Sequence, residues 1–246
     1  MKRFRWQIIL GSGLVILSAV VYFLHYAIFR DTHHIFIYLI GDVAFVFIEV
    51  LLVTMIIHQL LSEREKRGRL EKLNMLIGAF YSEVGTRLLS YLSDCDPGLE
   101  RIRNHLVVSD GWSEQEFQSV SKRLRNYDYK VDIDKVNLED LRTFLVEKKD
   151  FLLRLLENPN LLEHESFTEL LRAIFHLTQE LVHREYLSDL PDSDFEHLAG
   201  DIKRFYVLLV HQWLDYMKHL KDSYPYLFSL AMRTNPFDQE ASPIVG

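Results

Sequence analysis

The sequence predicts an all-α protein in two parts, a two-helix transmembrane hairpin followed by a cytoplasmic helical bundle. Two apolar runs of membrane-spanning length fall within residues 1–61 of the 246. Residues 62–235 instead show leucine-type positions at three-to-four spacing, divided by prolines and helix caps. The short alternating piece Tyr127 to Ile133 could be at most one strand, and one strand makes no sheet.

The first span runs from about Trp6 to Phe29. Lys2, Arg3 and Arg5 in front of it resemble the basic start of a signal peptide. The apolar run is too long for the core of such a peptide, and no small-residue cleavage site closes it, so it reads as a retained helix. Gly11, Ser12, Gly13, Ser18 and Ala19 form a small-residue stripe that favours close helix packing and self-association.

The second span runs from about Ile35 to Ile57. At about 1.5 Å per residue it can cross a hydrocarbon layer of about 30 Å. The loop between the spans, Arg30 to His34, holds a single basic residue. Arg64, Lys66, Arg67, Arg69 and Lys72 follow the second span. Positive charge near the span ends stays in the cytoplasm, which puts both chain termini there and a very short loop outside. The expected location is the cell membrane, with the lipid bilayer as the first partner.

No proline interrupts the pattern between Ile57 and Pro97, so one helix is expected to continue to about Leu92, about 50 Å by the standard rise. Leu70, Leu73, Ile77, Phe80, Val84 and Leu88 keep helical spacing, while Gly68, Gly78 and Gly85 weaken it as a rigid rod. The charged stretch Ser62 to Lys72 is suited to a solvated helix face, to anionic head groups or to a coiled coil with sister helices. Asp96-Pro97-Gly98 breaks the helix.

Ser113 and Glu116 form a capping-box pattern that opens a helix towards Tyr127. Asn137 starts a helix that ends at Asn158-Pro159, and Ser166 starts another that ends before Pro191. Asp192 or Ser193 starts the last long helix, with an interruption at Tyr224-Pro225. Trp213, Tyr216, Tyr224, Tyr226 and Phe228 read as packing residues. Residues 236–246 lack periodicity and are expected to be a flexible tail, although Asn235-Pro236-Phe237 matches a short docking tripeptide.

The net charge of −7 argues against nucleic acid as a partner, which requires a basic surface. Cys95 is the single cysteine, so an internal disulfide and a cysteine-based zinc site are excluded. Phosphate-binding glycine loops, nucleophile elbows and kinase-type signatures are absent, and neither enzymatic activity nor a cofactor is expected.

The chemistry lies in the second span. Asp42 and Glu49 are seven residues apart and so share one side of the helix. A carboxylate near the membrane centre costs at least about 2.5 kcal/mol, so this side is expected to face protein or water. Rings of acidic side chains select cations, and apolar constrictions gate. Phe45, Val53 and Ile56 are the candidate constriction, and His25 or His58 the candidate partners of a proton relay. The plainer expectation is that the acids only fix packing, through Ser12, Ser18, Tyr22 or Thr54. In the soluble part, His176, Glu180 and His183 share a helix face and form a weak metal candidate, as do His211, Asp215 and His219.

The expected function is therefore a homo-oligomeric cation channel or channel-like protein. Asp42 and Glu49 line its path and the cytoplasmic bundle regulates it. The alternative is a membrane-anchored signalling or scaffold protein whose hairpin only tethers a partner-binding helical domain.

Overall fold

The computed structural model describes residues 2–162 and 164–244, and every regular element among them is helical. The chain divides into two compact units, Met1–Lys66 and Arg67–Gly246.

The first unit holds α1 (Lys2–Phe29) and the beginning of α2 (Thr32–Phe80). Only Arg30 and Asp31 connect them, because His33 and His34, expected in the loop, are already helical. Arg30 makes the reversal in the left-handed region, at φ 48°. Its N–H still donates to the carbonyl of Tyr26 at 2.8 Å, while Asp31 Oδ1 accepts from His34 N–H at 3.2 Å as a cap for α2. Both helices are long and apolar enough to cross a membrane, and nearly all the side chains described between Gly11 and Leu61 are exposed.

In the second unit, α2 ends at Phe80 and passes through one π-helical turn, Tyr81–Gly85, into α3 (Thr86–Asp94). The extra residue in this turn shifts the register, so Phe80, Tyr81, Val84, Leu88 and Leu89 are all buried. Tyr81 donates from its hydroxyl to the Leu209 carbonyl at 3.0 Å and stacks on Tyr216, and Phe80 meets Phe167 edge-on. At the expected break, Asp96 Oδ1 accepts from Gly98 N–H at 2.9 Å. The expected capping box is present, with Ser113 and Glu116 bonding each other's backbone at the start of α4 (Glu114–Arg125).

Asn137 caps α5 (Leu138–Glu147) as expected, but the single helix expected up to Asn158 breaks at Lys148, and α6 (Lys149–Leu156) follows. After the short α7 (Pro159–Leu162) comes α8 (Glu165–Val182). Its cap is His164, which accepts from Phe167 N–H, whereas the expected cap Ser166 accepts from Gln212 Nε2 at 2.8 Å. The last long helix, α9 (Asp192–Ser223), yields at Tyr224 to α10 (Pro225–Arg233), as the proline there predicts.

The core is centred on α8 and α9. Leu170, Leu171, Ile174, Leu177 and Leu181 from one helix and Leu198, Ile202, Phe205 and Leu209 from the other are fully buried. These positions recur every three or four residues, which is the apolar stripe that pairs amphipathic helices. Of the expected packing residues, Trp213 and Phe228 are buried, while Tyr226 is exposed.

The expected tail does not begin loose. Phe237 is fully buried against Trp213, and the buried Asn235 donates from Nδ2 to the Leu106 carbonyl at 2.8 Å. The docking tripeptide is therefore an internal packing element.

Candidate functional site

Two clusters of polar side chains stand out, one in each unit. In the first unit, Asp42 reaches back to α1, where the Tyr22 hydroxyl donates to Oδ2 at 3.5 Å. Tyr22 is thus the partner among the four expected on packing grounds. Around this pair, His34 stacks on Tyr38 with ring centres 4.7 Å apart, and His25 lies 6.1 Å from His34. Tyr22, His25, His34, Tyr38 and Asp42 line an open cleft of about 420 Å³. The buried Nδ1 of His25 has no hydrogen-bond partner among the described residues.

Glu49 behaves differently. It is exposed and makes no hydrogen bond or ion pair among the described residues. Phe45, Val53 and Ile56, the expected constriction, are also exposed on this unit. One hairpin has no opposite wall, so a constriction would require further copies of the chain.

The second cluster differs from the expected triad. His183 leaves it, because it caps the end of α8 and its Nδ1 lies 2.8 Å from the Gln179 carbonyl. His176 and Glu180 remain, and α9 adds His197 and Asp201. His176 Nε2 is 3.2 Å from Asp201 Oδ2 and 3.9 Å from Glu180 Oε1. His197 Nε2 is 3.5 Å from the same Asp201 oxygen and 3.7 Å from Glu180 Oε2. The signal for this pairing was in the sequence. Both helices carry a histidine followed four residues later by an acid, as His176-x-x-x-Glu180 and His197-x-x-x-Asp201. That spacing stacks the two side chains on one face.

Two guanidiniums flank the cluster. Arg184 bonds both Glu180 and Asp194 at 2.7 Å, which holds both carboxyls below the usual carboxylate range. Arg204 lies 3.2 Å from the other Asp201 oxygen, Oδ1.

The other expected triad is not assembled. No hydrogen bond or ion pair joins His211, Asp215 and His219. His219 turns instead to Asn74, with Nδ1 3.1 Å from the amide nitrogen, and burial pushes its pKa down, as it does for His211.

The whole chain has relatives. Residues 2–61 match the family described as the MJ1433 N-terminal helical domain, and residues 69–233 match the MJ1433 C-terminal helical domain. Over 237 residues the chain is 50% identical to "Uncharacterized protein MJ1433" of Methanocaldococcus jannaschii, a match covering 96% of this chain and 95% of the relative. No solved structure matches it. With both domain models matched in order and 50% identity to this relative over nearly the whole of both chains, the chain belongs to the MJ1433 family.

Proposed function

We propose that the chain assembles in a membrane as a homo-oligomer whose second spans line a path for cations. The observation that carries this is the contrast between the two acids of α2. Asp42 is engaged by Tyr22 inside its own hairpin, whereas Glu49 has no partner there among the described residues. An ionisable side chain within hydrocarbon requires a partner or water, and a monomeric hairpin supplies neither at Glu49. Copies of α2 around an axis supply both, as a ring of carboxylates facing a hydrated path. Phe45, Val53 and Ile56, exposed on the isolated hairpin, provide an apolar wall for such a path. In this reading both termini lie in the cytoplasm, in keeping with the basic residues near the span ends.

The test is cation flux into liposomes holding the full-length protein, read beside the mass of the nanodisc-embedded particle. A ring of four or more copies, with flux that loses cation selectivity in Glu49→Gln, is the expected result. Unchanged permeation in the double variant Asp42→Asn, Glu49→Gln removes the proposal.

A second reading has its own support. The link between α1 and α2 is two residues, too short to sense anything outside, while the second unit holds a well-packed core. In this reading the hairpin tethers a helical signalling or scaffold domain. A monomeric or dimeric particle without flux favours it.

A further inference from the structure

We propose that the cation carried by this path is the proton, and that the cleft between α1 and α2 is where it enters. This rests on the membrane path proposed above and names its substrate. The relay consists of His34, His25, Tyr38, Tyr22 and Asp42.

The first support is the arrangement. His34, Tyr38 and Asp42 are spaced four residues apart and stand on one face of α2. Tyr22 and His25, three residues apart, meet that face from α1. The rings follow one another: His25 lies 6.1 Å from His34, and His34 stacks on Tyr38 at 4.7 Å. At the far end the Tyr22 hydroxyl donates to Asp42 at 3.5 Å. From His34, close to the reversal at Arg30, to Asp42 the face extends about 12 Å along the helix. All five residues line one open cleft of about 420 Å³, which has room for water among polar groups.

The second support is His25. A histidine that serves only packing has its tautomer fixed by a bond at one ring nitrogen. The buried Nδ1 of His25 has no such bond among the described residues, so its ring can give and take at either nitrogen. The third is the choice of groups. A potassium or sodium ion gives up its water only to a set of several oxygen ligands. This cleft offers one carboxylate, already engaged by Tyr22, beside imidazoles and phenols. Such groups hold few ions but pass protons.

The transfer balances without a further reactant. A proton arriving from the side of the two-residue link binds one nitrogen of His34. The imidazolium releases a proton from its other nitrogen to His25 or to water in the cleft. The relay ends when the Asp42 carboxylate becomes the acid. Asp42 then loses this proton through water in the assembled ring to Glu49, about 10 Å along α2. One proton leaves for each that enters.

The experiment uses the full-length protein in liposomes. Proton entry after an acid step is read from a trapped pH-sensitive dye, and potassium and sodium entry from separate vesicles with ion-sensitive dyes. Proton entry well above that of either metal ion is expected, slowed in D2O by more than its viscosity explains. His25→Ala and His34→Ala each lower proton entry by about tenfold or more. His33→Ala, next to the relay but outside the cleft, conducts like the parent. His34 is exposed, so His34→Ala keeps the hairpin, as an unchanged particle mass verifies, and decides the matter alone if loss of His25 disturbs packing. Potassium or sodium entry as fast as proton entry overturns the proton as substrate while leaving the cation path standing. Proton entry that survives the double histidine variant overturns the relay. Absence of flux of any ion overturns both this proposal and the path on which it rests.

Discussion

The ring of Tyr81 lies so close to Gly85 that a Cβ added at that glycine would meet Tyr81 Cδ1 at 2.6 Å and Phe80 Cε1 at 2.8 Å. Both aromatic residues are buried, and Tyr81 is pinned by its bond to the Leu209 carbonyl, so neither ring can retreat cheaply. Gly85→Ala is therefore expected to destabilise the helical unit by about 1–3 kcal/mol, the usual cost of overpacking. Gly200→Ala is the control. That glycine lies inside α9 with nothing within 4 Å of its added Cβ, so alanine is expected to stabilise by up to about 1 kcal/mol through helix propensity. Denaturant unfolding of both variants checks the pair. Equal effects would show that the π turn is not held by this contact.

Asn235 bridges the end of the chain to the core. Its Nδ2 donates to the Leu106 carbonyl at 2.8 Å, and its Oδ1 accepts from Phe237 N–H at 2.9 Å. Asn235→Ala leaves two buried backbone groups without these partners and is expected to cost roughly 2–4 kcal/mol. Truncation after Thr234 additionally removes Phe237 from Trp213 and should cost at least as much. Thermal unfolding of the two forms measures this. Truncation with no effect would restore the loose tail read from the sequence.

The same residue shows what the sequence hid. Most helices were legible because their caps and apolar stripes are local signals. Ser113 with Glu116 and the break at Tyr224-Pro225 fall where the pattern puts them. Asn235 and Phe237 carry no periodicity, and their burial depends on a carbonyl at Leu106 and a ring at Trp213, both distant in sequence. The break at Lys148 has no proline or glycine to announce it. The site was half legible. Spacing within α8 found His176 and Glu180, but His183 shares that face and is drawn off by the helix end, while His197 and Asp201, which repeat the same four-residue spacing, are joined to them by the packing of α9.

Acid titration should show two opposite effects. Burial pushes His211 and His219 below the usual imidazole value, so the folded protein stays neutral at these sites where the unfolded chain takes up protons. The stability that they contribute is present above the unfolded value of about 6.5 and is lost as the pH falls towards their lower folded values. Asp96 has the reverse sign. Burial raises its pKa despite bonds from Gly98 N–H and Tyr127, so its contribution is present at low pH and is lost as the pH rises through the raised value. His219→Gln should flatten the loss below about pH 6.5, and Asp96→Asn should flatten the separate change at lower pH. Unfolding free energy measured across pH 4–7 in the parent and both variants decides it. Identical curves would show that neither group governs the profile.

Tyr22, Asp42 and Glu49 allow packing within one hairpin to be separated from assembly between copies. The Tyr22 hydroxyl is the partner of Asp42 within its own chain, so Tyr22→Phe is expected to weaken the hairpin by about 1 kcal/mol, the scale of interhelical hydrogen bonds in membranes. Its effect should be confined to the monomer, with no change in the mass of the assembled particle. Glu49 makes no bond among the described residues of its own chain, so Glu49→Leu should leave the hairpin intact while reducing the number of copies that associate. Native mass spectrometry from nanodiscs reads the assembly, and unfolding in mixed micelles reads the hairpin. Particles of unchanged mass in Glu49→Leu would mean that copies associate through another face, with the small-residue stripe of α1 from Gly11 to Ala19 the next to test.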